Sequence, residues 1–345
     1  MRPVPDLAAQ VSKLARGKVA FAGVVTPDGT TTTHAHAGRV AREPHAGRVA
    51  REERAGVSRP PTPKPEPDLE IGSVTKGFTG LLYVDAVERG EVRPSSTLGE
   101  FLDLGDSFAA SATLEAVSRH RSGLPRLAVI PDAAARSWRL WRHGANPYGD
   151  SLETLLKHAR GTKGRRSTRP SYSNLGFQLL GHALAAAAGT TYVELLRTRL
   201  LDPLGMTTTY APRIPAELRP EAVVGTGLFG ARRDPWVGED IGPAGGIRST
   251  ATDLAIFARA LLDGAVPGIA ALDPVEAFGR DLRVGAGWMT SPVRGRRVTW
   301  HNGGTGGCAS WFGLDRENGR AAYVVLAELR KVDHVAQNLL VDPTL

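Results

Sequence analysis

Ser73-Val74-Thr75-Lys76 opens an apolar run in which Val74, Phe78, Leu81 and Leu82 recur at helical spacing. Residues three apart share a helix face, so the Lys76 amine comes within hydrogen-bonding reach of the Ser73 hydroxyl. A serine hydroxyl is a poor nucleophile until a base takes its proton. Lysine is such a base only where desolvation or a nearby positive charge lowers its pKa. An apolar helix supplies the desolvation. The same four residues also read as a helix-capping serine with a surface lysine, so the chemistry needs support from elsewhere in the chain. Two segments qualify. Tyr172-Ser173-Asn174 follows Pro170 and precedes a helix, and His301-Asn302-Gly303-Gly304-Thr305-Gly306-Gly307 lies between two expected strands. Taken singly, the first reads as a half-buried phenol and the second as a tight hairpin whose glycines need positive φ.

The elements that must position these residues are legible in outline. The chain has 345 residues, 41% of them hydrophobic and 23% charged, a soluble globular composition that excludes disorder, collagen-like repeats and a multi-span membrane protein. Its single cysteine, Cys308, can form no intrachain disulfide. No apolar stretch reaches the roughly 18 residues of a membrane span, and Met1 to Asp6 shows no leader pattern, so the expectation is a cytoplasmic protein without membrane contact. After a short amphipathic stretch (Leu7, Val11, Leu14), Lys18 to Val25, the turn Thr26-Pro27-Asp28-Gly29 and Thr30 to Thr33 predict a hairpin. The octet from His36 to Glu43 recurs as His45 to Glu52, a duplication with too few copies for a solenoid. Its odd displacement would flip every later side chain of a strand, so one copy is expected as an extended loop or hairpin tip. Pro60, Pro61, Pro63, Pro65 and Pro67 make an extended connector.

The helix from Ile71 should stop at Gly90, and a mostly helical middle follows. It includes a helix from Leu175 to Ala188, with capping boxes Thr191-x-x-Glu194 and Thr250-x-x-Asp253 before helices Val193 to Leu200 and Leu254 to Leu262. Beyond Pro274 the period drops to two, predicting strands Ala286 to Thr290, Arg297 to Trp300, Cys308 to Leu314 and Ala321 to Leu326, a turn over Asp315 to Gly319, and a closing helix from Lys331 to Leu340. The expected fold class is α+β, an α/β/α sandwich. One antiparallel sheet is built from N- and C-terminal strands, with an inserted helical subdomain. Residues 1–345 form one domain, with 1–75 and 245–345 as the sheet part and 76–244 as the helical part.

Together and in this order the motifs resemble the serine β-lactamase and penicillin-binding superfamily, closest to class C β-lactamases, D-alanyl-D-alanine carboxypeptidases and the related family VIII carboxylesterases. The likeness extends to His120-Arg121-Ser122-Gly123-Leu124-Pro125, Asp202-Pro203-Leu204-Gly205-Met206 and Ala244-Gly245-Gly246-Ile247-Arg248-Ser249-Thr250, and covers the chain from about residue 18 to its end. It implies that Ser73 is the acylated nucleophile. Lys76 is its general base or the cation that lowers the phenol pKa of Tyr172, and Tyr172 is the proton shuttle. Asn174 orients Lys76 and the substrate carbonyl, and His301-Asn302-Gly303 stands where the family has Lys-Thr-Gly. The amides of Ser73 and Gly304 form the oxyanion hole. The implied activity is that of a serine hydrolase on a small-molecule ester or amide through a Ser73 acyl-enzyme. An acyltransferase of specialised metabolism, such as antibiotic biosynthesis, is the alternative, and a penicillin-like binder that acylates without turnover is the second. No cofactor or metal is expected.

Departures from the pattern refine this. His301 replaces a lysine used against a substrate carboxylate, and imidazole, with an ordinary pKa near 6.5, binds carboxylates less well. This shifts weight toward esterase, amidase or acyl-transfer chemistry. Cys308 reads as a small buried hydrophobe. His34-x-His36 lacks a carboxylate partner for a metal. The excess of 43 Lys+Arg over 35 Asp+Glu, a net charge of +8, concentrates in Lys157, Arg160, Lys163, Arg165, Arg166 and Arg169. Without a nucleic-acid fold signature, that run reads either as a solvated loop or as one edge of an active site for an anionic substrate.

Overall fold

A computed structural model describes residues 7–36, 39–43, 66–165, 169–227 and 230–342. Helix α1 (Leu7–Ala15) buries Leu7, Val11 and Leu14. Strands β1 (Ala20–Thr26) and β2 (Gly29–His36) form the expected hairpin, closing at Thr26 opposite Gly29. Strand β3 (Arg39–Glu43) pairs back on β2, so the first copy of the duplicated octet contributes a sheet edge. The second copy and Pro60, Pro61, Pro63 and Pro65 lie outside the described residues.

Strand β4 (Leu69–Glu70) and a 3-10 turn (Gly72–Val74) lead into α2 (Thr75–Glu88), which ends before Gly90 at φ +73°. The middle is helical: α3 (Leu114–Ser118), α4 (Ala133–His143), α5 (Leu152–Gly161), α6 (Asn174–Ala187), α7 (Tyr192–Leu196), α8 (Asp202–Leu204) and α9 (Gly242–Gly245). Short β5 (Arg248–Ser249) pairs with β4 and precedes α10 (Ala251–Leu262). Thr191 and Thr250 do cap α7 and α10, but neither makes a reciprocal box. Glu194 turns to Arg197, and Asp253 accepts from Thr208 N and Thr209 Oγ1, because each acid has a better-placed donor nearby. The helix expected to run to Leu200 becomes a π turn from Arg197 to Leu201.

The C-terminal third supplies β6 (Glu276–Ala277), β7 (Arg283–Val284), β8 (Met289–Val293), β9 (Arg296–Gly304), β10 (Ala309–Asp315), β11 (Arg320–Leu326) and α11 (Asp333–Val341). Two boundaries differ from expectation. Ala286 to Trp288 form a bend, with Gly287 at φ +73°, and pairing starts at Met289. His301 to Gly304 belong to β9 itself, and the turn falls at 305–308.

All nine main-sheet strands pair antiparallel, in the order β3-β2-β1-β11-β10-β9-β8-β7-β6, so the two termini meet at the β1–β11 seam. Alternation splits each strand between two cores. Ala20, Ala22 and Val24 join Trp311, Val324 and Leu326 beneath α1 and α11. Phe21, Val25, Phe312 and Tyr323 face α2, α6 and α10 on the other side. This is the expected α+β sandwich, with the Ser73 helix buried centrally against the sheet.

Candidate active site

The segment before Ser73 is fixed by buried charge and by the sheet. The Arg248 guanidinium, without solvent exposure, pairs with Asp68 and lies 3.5 Å from Glu70. Glu70 accepts from Thr305 Oγ1 and Trp236 N, tying the chain on either side of the site to one carboxylate. Removing one partner of such a network strands an uncompensated charge, which typically costs about 3–5 kcal/mol. The Ile71 amide donates to Ile247 O at 3.0 Å, and Ser310 Oγ donates to Ile71 O at 2.7 Å. Gly72, at φ +51°, and Gly303 let this segment lie directly on β9. A Cβ on Gly72 would stand 2.7 Å from Gly304 N, and one on Gly303 would stand 2.9 Å from Ser73 N. The backbones of Ser73 and Gly304 are thereby side by side.

One helical turn onward, Lys76 Nζ is 3.1 Å from Ser73 Oγ and donates to Ala244 O at 2.6 Å. Lys76 is completely buried. Desolvation, reinforced by the Arg126 guanidinium, holds its amine well below the ordinary lysine range, which favours its use as a base. Sequence reasoning anticipated the desolvation and missed Arg126. The Tyr172 ring centroid lies 4.9 Å from Nζ, and Arg126 approaches the same ring at 5.6 Å. Burial pushes the Tyr172 phenol up to about 12, although the Ser73 hydroxyl and Arg126 pull it down. The phenol is therefore protonated at neutral pH.

Ser173 Oγ caps α6 through Gly176 N and donates to Pro125 O, and this fixes Tyr172 at the helix entrance. His120, at the strained φ of +57°, forms the platform beneath it. The two ring centroids are 4.5 Å apart, and His120 Nδ1 accepts from Ser173 N. Sequence reasoning included His120 in a motif without giving it a role. The available signal was a histidine before a Gly-Leu-Pro turn.

The expected substrate residues fall differently about the site: Asn174, Asn302 and Gly303 line cavities that Ser73 also lines, whereas His301 does not. His301, 2% exposed, occupies the inward face of β9, with its ring centroid 6.1 Å from that of Tyr172, and lines neither cavity. Strand alternation turns residue 301 in while Asn302 and Gly304 face out. Burial, with Lys76 nearby, lowers its pKa to about 3, so it carries no charge for a carboxylate. Asn174 donates to the Tyr148 phenol at 3.4 Å and makes no hydrogen bond to Lys76. Asn302 donates to Asp333 Oδ1 at 2.8 Å. Cys308 is buried, and burial pushes its thiol well up, as expected for a structural residue.

Ser73 and Gly304 stand where two cavities meet. One of about 330 Å³ lies under α4 and is bounded by Ile130, Leu140, Tyr148, Asn174 and Asp240. The other, about 1020 Å³ and open, runs along β9 past Tyr172, Asn302, Gly303 and Lys331. None of the described cations of 157–169 lines either cavity, and Arg160 is engaged by Asp103. Arg166 is outside the described residues. Density of charge along the chain did not become density at the site, because α5 turns Lys157 and Arg160 to solvent. The cations at the cavities are Arg126, Arg136, Arg330 and Lys331.

The family described as Beta-lactamase matches residues 17–344. "Putative beta-lactamase-like 1" of Homo sapiens is 34% identical over 265 residues, covering 71% of this chain and 51% of the relative. The D-alanyl-D-alanine-carboxypeptidase/endopeptidase AmpH of Escherichia coli (strain K12) is 32% identical over 150 residues, covering 42% of this chain and 37% of the relative. The chain thus spans about half or less of the length of these curated relatives. Among solved structures, a class C beta-lactamase superposes with a TM-score of 0.77 at 16% identity, covering 99% of this chain and 95% of the other.

Proposed function

The chain belongs to the Beta-lactamase family, and on that footing we propose that it hydrolyses a small-molecule ester or amide through an acyl-enzyme on Ser73. The observation that carries this reading is a fully buried lysine amine 3.1 Å from a serine hydroxyl at the junction of two cavities. Ser73 Oγ attacks the carbonyl as its proton passes to the Lys76 amine. The Ser73 and Gly304 N–H groups receive the developing oxyanion, each donor contributing about 2.7–4 kcal/mol in comparable sites. Collapse breaks the bond to the leaving group, which takes a proton relayed by Tyr172. Water then cleaves the acyl ester by the reverse relay. The buried, neutral His301 favours an esterase or amidase over a carboxylate-seeking peptidase.

Incubation with p-nitrophenyl acetate, followed by intact mass and peptide mapping, tests this. Turnover with an adduct confined to Ser73 is expected, and a Ser73→Ala protein that turns over like wild type overturns it. A second reading, acyl transfer to an amine or alcohol, is favoured by the open groove beside Ser73, which has room for an acceptor. Release accelerated by added amine marks the transferase, and an adduct that persists marks a binder.

A further inference from the structure

The enclosed cavity beside Ser73 has two carboxylates on its wall, and they are not equivalent. Asp150 is paired: Arg136 donates to both of its oxygens, at 2.9 and 3.0 Å, and His158 Nδ1 is 3.7 Å away. Asp240 is 3% exposed and has no cation within ion-pairing distance among the described residues. Its Oδ1 accepts from Gly149 N at 3.1 Å, the Ile241 backbone N–H also donates to the carboxylate, and Gln178 Nε2 stands 3.5 Å from Oδ2. A buried carboxylate with spare acceptor capacity is costly unless something pairs with it. The rest of the lining mixes polar groups, Arg126, Asn174 and Tyr148 among them, with apolar Ile130, Leu140 and Ile241.

Resting on the Ser73 acyl-enzyme reading, we propose that Asp240 determines acyl-group specificity, and that the preferred acyl group carries a cationic amine which the Asp240 carboxylate pairs inside the cavity. A volume of about 330 Å³ suits a short aminoacyl group. Burial, with Asp150 adding to it, holds the empty Asp240 carboxyl up to about 7. The charged or titratable groups sharing the cavity with it are Asp150, Arg136, Arg126, His158 and the Tyr148 phenol. An entering ammonium stabilises the ionised form, so preference for such acyl groups rises as pH passes upward through 7, until the amine itself deprotonates.

The test compares alanine p-nitroanilide, as both enantiomers, with propionic acid p-nitroanilide, which lacks only the ammonium. Wild type is expected to favour one alanine enantiomer by at least about tenfold in kcat/KM, since a site with an unpaired polar group rejects the analogue that cannot fill it. Asp240→Asn retains the acceptor for Gly149 N and should bring the ratio within about threefold and flatten its pH dependence. Equal or better use of the propionyl substrate by wild type overturns the assignment whatever the variant does, as does an unchanged ratio in a folded Asp240→Asn protein. Peptide mapping separates the two levels. Ser73 acylated by both substrates without preference overturns Asp240 alone, and no adduct on Ser73 overturns the acyl-enzyme reading as well.

Discussion

The two cavities that share Ser73 are built from different materials. The open groove runs along the paired edge of β9 and β10, from Asn302 to Gly304 and from Ala309 to Ser310, with Arg126, Tyr172, Leu329 and Lys331 completing it. The enclosed cavity is walled by side chains and roofed by α4, an 11-residue helix that buries none of its own residues. That roof is held by polar clamps: Arg136 to Asp132 and Asp150, and Arg233 to Leu140 O at 2.7 Å. The difference teaches a division of labour. Under the proposed acyl-enzyme mechanism, reaction geometry would reside in the Ser73–Gly304 juncture and buried charge, and acyl selectivity in side chains of the smaller cavity.

The strongest way to break that division is at the shared point. Ser73→Ala and Lys76→Ala are each expected to lower kcat/KM by about 10⁴-fold or more for every acyl group and every leaving group, as for comparable activated nucleophiles. A loss confined to one acyl group would contradict it, and steady-state kinetics on matched esters and anilides reads the result. Tyr172→Phe should cost about 10²–10³-fold on anilides and markedly less on p-nitrophenyl esters, because the poorer leaving group needs its proton more. Equal losses on both would remove the relay.

A smaller effect sharpens the contrast through stability. The His301 imidazole, lowered to about 3 in the fold from an ordinary 6.5, is neutral in both states above pH 6.5. Below that, only the unfolded chain binds the proton, so stability falls as pH falls, by about 1.4 kcal/mol per unit. His301→Asn should reduce that slope in urea unfolding between pH 6.5 and 5. An unchanged slope would show that the ring is not held neutral. Asp240, raised to about 7, acts with opposite sign, since the folded state keeps a proton that the unfolded chain has lost above about pH 4. The smallest expected effect is at the roof: Leu140→Ala should shift preference between short and long acyl groups by about two- to fivefold, the scale of a methylene or less, with leaving-group preference unchanged.

What could be read from sequence follows the same division. Ser73 and Lys76 were legible because helical period alone brings residues three apart together, and the strands because their alternation survives in the chain from Ala321 to Leu326. The inward turn of His301 was not legible, since strand phase is set by the neighbours that β9 pairs with. The Asn174–Tyr148 bond spans 26 residues, and Asp240 beside Glu239 looks in sequence like a solvated pair of acids. The cluster from Lys157 to Arg169 misled because proximity along a chain does not fix which way side chains point.

The lack of core contacts from α4 has an evolutionary consequence. Substitutions at Trp138 or Trp141, 56% and 76% exposed, or at Leu140 on the cavity side, remove little packing from the interior. The roof can therefore be rewritten with little loss of foldability, whereas the Arg248–Asp68–Glu70 cradle tolerates almost no change. If the proposed activity holds, substrate range could be altered by single steps in this one helix while the Ser73 cradle stays intact.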